Sequence, residues 1–247
     1  MADWNDTRQQ QTGFSSVPRA GDAVARRATY DMGLRAHMLK IYNYMASGVL
    51  LTGIVALLAA STGFAAAMIG SPLKWLVILS PLAIVFAMSF GANRFSTATL
   101  QAMFWGFATL MGLSLSTIFL VYTGESIAAT FFATAGAFAG LSLWGYTTKK
   151  DLSGFGTFLI MGVIGLLIAM VINIFVQSSA LAMAISFIGV LIFAGLTAYD
   201  TQRLKEQYEI VRGSDFAGKA VVLGALTLYL DFINMFQFLL SFMGSRE

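Results

Sequence analysis

Cysteine is absent from the 247 residues, histidine occurs once, and charged residues make up only 11%. The first absence excludes a disulfide framework, a thiolate metal site and a cysteine nucleophile. With His37 alone, a zinc-type histidine cluster is excluded too. No Gly-rich phosphate loop and no nucleophile–base arrangement is present. Scarcity of charge says the most. With 57% hydrophobic residues and a mean hydropathy of +0.76, the chain exceeds the apolar share of about 45 to 50% typical of soluble domains. It reads as an integral membrane protein. The net charge of +3 then reflects how basic residues are sorted across a bilayer, and no nucleic-acid partner is expected.

Residues 1–40 are polar, mixed in charge and free of signal-peptide patterning; they read as an N-terminal tail ending in an amphipathic segment near Tyr30 to Lys40. A seven-helix transmembrane domain is expected over 41–243, and 244–247 form a short external C-terminus. The seven apolar runs lie at about 41–62, 73–92, 97–121, 126–147, 155–176, 180–203 and 219–243. Each is close to the roughly 20 residues a helix needs to cross about 30 Å of hydrocarbon. None alternates as a barrel strand does, so the fold is all-α. Pro81 makes the second run the one expected to kink. The residues 206–218 read as a long connection between the last two spans. With seven spans, Arg35, Lys40, Arg94, Lys149, Lys150, Arg203, Lys205, Arg212 and Lys219 all fall on one side, against Lys74 and Arg246 on the other. The positive-inside rule makes that side, and the N-terminus, cytoplasmic. "GAFAG" (136–140) and "GVIG" (162–165) space glycines along one helical face and are expected to be packing faces.

Chemistry must come from the few ionisable groups within the spans. A carboxylate at membrane depth costs at least about 2.5 kcal/mol, so its presence points to function. Asp231 in "LYLDFINMF" lies about twelve residues into the seventh run, near the midplane. Thr227, Asp231 and Asn234 make one polar stripe at helical spacing, which must face protein or water. Asp200 in "TAYDTQRLK" closes the sixth run and shares a face with Thr197. It reads either as an interfacial acid paired with nearby Arg203 or as a group turned back into the membrane. Counted from the expected span ends, the two acids differ in depth by about 10 Å. Direct pairing then requires a tilt, a kink or a deeper sixth helix.

The motifs "AYDTQRLK" and "LYLDFINMFQFLL", in this order on a seven-span layout, resemble those of the Bax inhibitor-1 family. The resemblance covers about residues 30–243, and "GYTTKKDLSG" (145–154) and the tail resemble its bacterial branch. It implies a last helix that is central and ringed by the other six. It also implies a pH-responsive aspartate latch in a calcium leak, carried by Asp200 and Asp231. Arg94 in "GANRFST" is placed as the latch's arginine partner on the second span, with Thr197, Thr227 and Asn234 as the polar path. Two close carboxylates cannot both ionise cheaply, so the pair can share a proton and act as a switch without histidine. Two carboxylates with a few carbonyls and waters would hold calcium weakly and transiently, which suits conduction by a permeant ion, and no resident cofactor is expected.

The resemblance carries a second reading: a non-conducting regulator in the bacterial inner membrane that binds and restrains a membrane-anchored ATP-dependent protease, with the tail as its handle. An enzyme is the third. Intramembrane aspartyl proteases also pair two aspartates, the first in a Tyr-Asp like Tyr199–Asp200, but their second lies in Gly-x-Gly-Asp, whereas this chain has "LYLD" and lacks a Pro-Ala-Leu motif. The expectation is therefore no catalysis. Among the remaining polar groups, Glu125 suits a helix N-terminus, and Asn173, Gln101 and Gln237 suit interhelical hydrogen bonds.

Overall fold

The computed structural model describes residues 20–245, with side chains from residue 29 onward. The residues 1–19 of the tail, and Arg246, lie outside the described residues. The elements run α1 (Ala20–Ser61), α2 (Phe64–Ile69), α3 (Leu73–Gly91), α4 (Thr97–Leu115), a 3₁₀ turn (Ser116–Leu120), α5 (Gly124–Thr147), α6 (Ser153–Val176), α7 (Ser179–Val211) and α8 (Ala217–Met243). Seven of the helices are long and apolar enough to cross a membrane. Among the described residues there is no strand, and the chain is an all-α, multi-pass membrane protein.

Local chemistry sets the helix ends. Ser96, Thr123 and Ser178 cap α4, α5 and α7 by accepting from the N–H of Thr99, Ser126 and Leu181. Glu125 sits in the first turn of α5, where an acid complements the helix dipole. α3 continues through Pro81.

Three boundaries differ from the sequence expectation. α1 begins at Ala20, so the amphipathic segment is the start of one continuous first helix. α7 extends to Val211 and α8 starts at Ala217, which leaves five connecting residues where a long loop was expected. Apolar runs mark the hydrocarbon-facing part of a helix only, whereas a helix continues as long as its backbone bonds and neighbours support it. Here Tyr30 donates to Glu209 at 3.0 Å, Arg212 lies over the Tyr30 ring, and His37 packs on Tyr208. The projecting parts of α1 and α7 thus hold each other. Gly213, with φ 75°, makes the turn that follows.

α8 is the most buried span. It packs against α7, α1, α5 and α4, while α3 lies mainly on α4 and α6 mainly on α7. The ring around α8 is therefore close on four sides and loose at α3 and α6. One end of the bundle gathers the α1 start, the α3–α4 turn, the α5–α6 loop and the α7–α8 turn: Lys219 donates to the Asn93 carbonyl, and Gln202 to that of Lys150. It is called the basic end below. On the far side of α8, Tyr229 shares a 2.6 Å hydrogen bond with Thr52, which donates to the Ala108 carbonyl, fastening α1, α4 and α8.

The glycine expectation is corrected. A Cβ at Gly136, Gly140 or Gly165 would meet nothing within 4 Å, and one at Gly162 would meet only the Ile192 side chain. Spacing puts those glycines on one face but does not say which face is buried. The close backbone approaches are elsewhere, at Gly145 against Ala198 and at Gly112 against the Thr52 carbonyl.

Candidate functional site

The polar residues of "TAYDTQRLK" divide between two faces of α7. Thr201, Gln202 and Lys205 turn toward α5 and its following loop. Gln202 accepts from the Leu152 N–H and donates to the Lys150 carbonyl, and Lys205 donates to the Tyr146 carbonyl. Thr201 bonds Ser142 at 2.9 Å, and Ser142 bonds Tyr42 of α1 at 2.7 Å. These contacts fix α7 in rotation and height. Asp200 is left facing α8.

There it meets Asp231. Both side chains are buried where α7 packs on α8, Asp200 7% and Asp231 4% exposed. The depth mismatch inferred from the sequence disappears because α7 is longer than its apolar run. Asp200 lies 11 residues (211 − 200) before the end of α7, and Asp231 lies 14 residues (231 − 217) after the start of α8. At 1.5 Å per residue the antiparallel helices then place the acids within about 5 Å in depth. No tilt or kink is required.

No N–H or hydroxyl donor reaches Asp231 Oδ2, although it is buried. Its carboxyl faces another carboxyl, and two such groups bond only when one carries a proton. On its other side Asp200 has Arg203, with Nη1 at 4.0 Å and the arginine 65% exposed. Arg94 is exposed in the α3–α4 turn; the cation paired with Asp200 is Arg203. The i, i+3 spacing on α7 is the signal for that contact in the sequence.

Two cavities flank the acids along α7 and α8, and only the first is lined by one of them, Asp200. One of about 260 Å³ lies at the basic end, where α3 stands off α8; Ser89, Asp200, Arg203, Gln207 and Thr227 supply its polar lining. The other, about 490 Å³, lies where α6 stands off α8, with Asn173, Ser186, Asn234, Gln237 and Ser241. Asp231 and Thr197 line neither and lie between them along α7 and α8. Of the expected polar path, Thr227 thus faces the first cavity and Asn234 the second. Thr197 is fully buried and donates to the Phe193 carbonyl. Ser89 and Gln207, single polar residues in ordinary apolar or solvated surroundings, carried no signal in the sequence. Gln101 makes its expected interhelical bond, to Tyr44, whereas Asn173 accepts from Ser178 in the adjoining turn. Among the described residues no third aspartate, glutamate or histidine joins the pair to form a metal cluster.

The family model described as inhibitor of apoptosis-promoting Bax1 matches residues 34–247. An uncharacterised protein of Caulobacter vibrioides is 48% identical over 229 residues, covering 88% of this chain and 91% of its own. The inner membrane protein YbhL of Escherichia coli is 44% identical over 234 residues, covering 93% and 98%. An uncharacterised protein of Rickettsia prowazekii is also 44% identical over 234 residues, covering 91% and 95%. The matched stretch holds both acids, the cavities beside them, six whole spans and most of the first, and the chain belongs to the Bax inhibitor-1 family.

Proposed function

We propose that the protein is a pH-sensitive calcium leak of a bacterial inner membrane, with its N-terminus in the cytoplasm, in which Asp200 and Asp231 form the gate. One observation carries the reading: two buried carboxyls from the packed helices α7 and α8 lie between two cavities, one of which reaches Asp200. With one shared proton the acids hydrogen-bond and hold α7 to α8. When that proton leaves, two carboxylates repel, the helices lose their polar clasp, and four oxygens become free to receive a cation. Two carboxylates are far short of the six to eight oxygens calcium prefers, so binding is weak and the ion moves on. Thr227 on one side and Asn234 on the other supply the next oxygens along α8. The orientation rests on the cations at the basic end, and the membrane assignment on the likeness to an inner membrane protein.

The test is calcium uptake by dye-loaded liposomes carrying the purified protein, from about pH 6 to about pH 8. Uptake is expected to rise with pH, and uptake no greater than that of empty liposomes at every pH overturns the reading. Arg203→Gln is expected to displace the pH response by about half a unit, the scale of an exposed ion pair. Arg94→Gln, which removes a cation that pairs with neither acid, should leave that response in place. Equal displacement by both variants would show that the cation beside the latch is not Arg203.

A further inference from the structure

A cavity of about 720 Å³ plays no part in this gate. It is a groove between α1 and α5, which both pack on α8. Met38, Met45 and Val49 form one wall, Phe131 and Phe138 the other, and Phe232 of α8 the floor. Leu39, Leu50 and Leu143, all exposed, mark its opening toward the surrounding hydrocarbon. Polar side chains are confined to one part of its length. Tyr42 and Ser142 are bonded to each other, and Arg35 and Tyr146 stand at the basic end.

Arg35 is exposed there and forms no ion pair with any described residue. Lys205 adds a second positive charge, its Nζ lying 5.3 Å from the centre of the Tyr146 ring. From Arg35 to Leu50 the groove follows fifteen helical residues (50 − 35), about 22 Å at 1.5 Å per residue. That length reaches from headgroup level past the middle of a core about 30 Å thick. Such a shape, apolar along its length and cationic at the interface, suits an amphiphile with one long chain in the groove. Small residues are present in the walls, Ala46 on α1 and Ala135 and Ala139 on α5, but the cations at one end favour an anionic amphiphile over an apolar partner helix.

We propose that the groove between α1 and α5 binds one acyl chain of an anionic phospholipid, whose phosphate headgroup is held by Arg35. The occupant lies against both arms of the latch. Phe232 follows Asp231 in α8, and Ser142 bonds Thr201, which follows Asp200 in α7.

Native mass spectrometry of the full chain, released from detergent with phosphatidylglycerol or phosphatidylcholine, reads binding without reference to calcium flux. Its failure would leave the leak reading standing, and the reverse. The parent is expected to retain phosphatidylglycerol about fivefold better than phosphatidylcholine, the scale of one interfacial cation. Arg35→Gln should clearly lower that preference, leaving only what Lys205 supplies. Ala135→Trp, which fills the groove from α5, should remove both lipids, and Ala139→Trp, at an exposed position on its rim, gives the same test in a variant whose folding is not at risk. Equal retention of the two lipids by the parent, or undiminished phosphatidylglycerol binding in Arg35→Gln or in Ala139→Trp, overturns the proposal. So does a lipid-free dimer that disappears in Ala139→Trp, since a second copy would then occupy the groove.

Discussion

Asp231→Asn is expected to hold calcium uptake low and level between about pH 6 and about pH 8, while Asp231→Ala is expected to hold it high and level. The contrast follows from what each side chain can offer Asp200. A carboxamide donates an N–H to the Asp200 carboxylate at any pH and so imitates the protonated acid permanently. A methyl group donates nothing, and the clasp between α7 and α8 is absent whatever the proton concentration. A hydrogen bond to a charged group contributes about 1.5 to 3 kcal/mol. At about 1.4 kcal/mol per factor of ten, the closed fraction shifts by roughly ten- to a hundredfold. The two variants should therefore bracket the parent, with the parent resembling Asn at low pH and Ala at high pH. Thermal unfolding in detergent separates gating from damage: both variants remove an ionisable group from a buried site and should keep a cooperative transition. If Asn and Ala change uptake alike, the hydrogen bond between the acids is not the clasp.

The second large effect is structural. A Cβ placed on Gly145 of α5 would fall on the Ala198 carbonyl oxygen of α7, with the Ala198 Cα at 2.9 Å. Both partners are backbone atoms of packed helices, so neither side can yield by changing rotamer. Gly145→Ala must drive α5 away from α7 and disturb the Ser142–Thr201 and Lys205–Tyr146 contacts that set the height of Asp200. Overpacking of this kind costs about 1 to 3 kcal/mol and more where backbone must move. The expected result is a marked loss of folded protein on size-exclusion chromatography. Gly136→Ala on the same helix meets open space, and should be neutral or stabilising by up to about 1 kcal/mol because alanine is the better helix former. A well-folded Gly145→Ala protein would show that α5 and α7 are not in backbone contact at this point.

The span count was readable because hydrocarbon thickness imposes one length on every crossing helix. The acids were readable because charge inside a span is rare. What composition left open was rotation and reach. Gly136 and Gly140 are as regularly spaced as any packing motif, yet which way they point depends on whether Thr134 and Phe138 face inward, and these are among the buried residues of α5. The depth of Asp200 was hidden for a related reason. Residues from Arg203 to Val211 are too polar to extend an apolar run, but Tyr30, Gly33 and His37 of α1 supply Tyr208 and Glu209 with partners that keep α7 helical. The choice between Arg94 and Arg203 was likewise one of geometry: both stand at the basic end, and only the contact at 4.0 Å distinguishes them.

The central claim, that one proton on the Asp200–Asp231 pair sets the state of the path, is tested most directly by infrared difference spectroscopy of the protein in liposomes. Spectra would be taken between about pH 6 and about pH 8 alongside calcium uptake in the same preparation. The expected result is loss of a carboxylic acid C=O band as pH rises, absent from the Asp200→Asn and Asp231→Asn proteins, with its midpoint coinciding with that of uptake. Uptake that follows pH while the carboxyl band stays constant would contradict it, and would move the gate to another group.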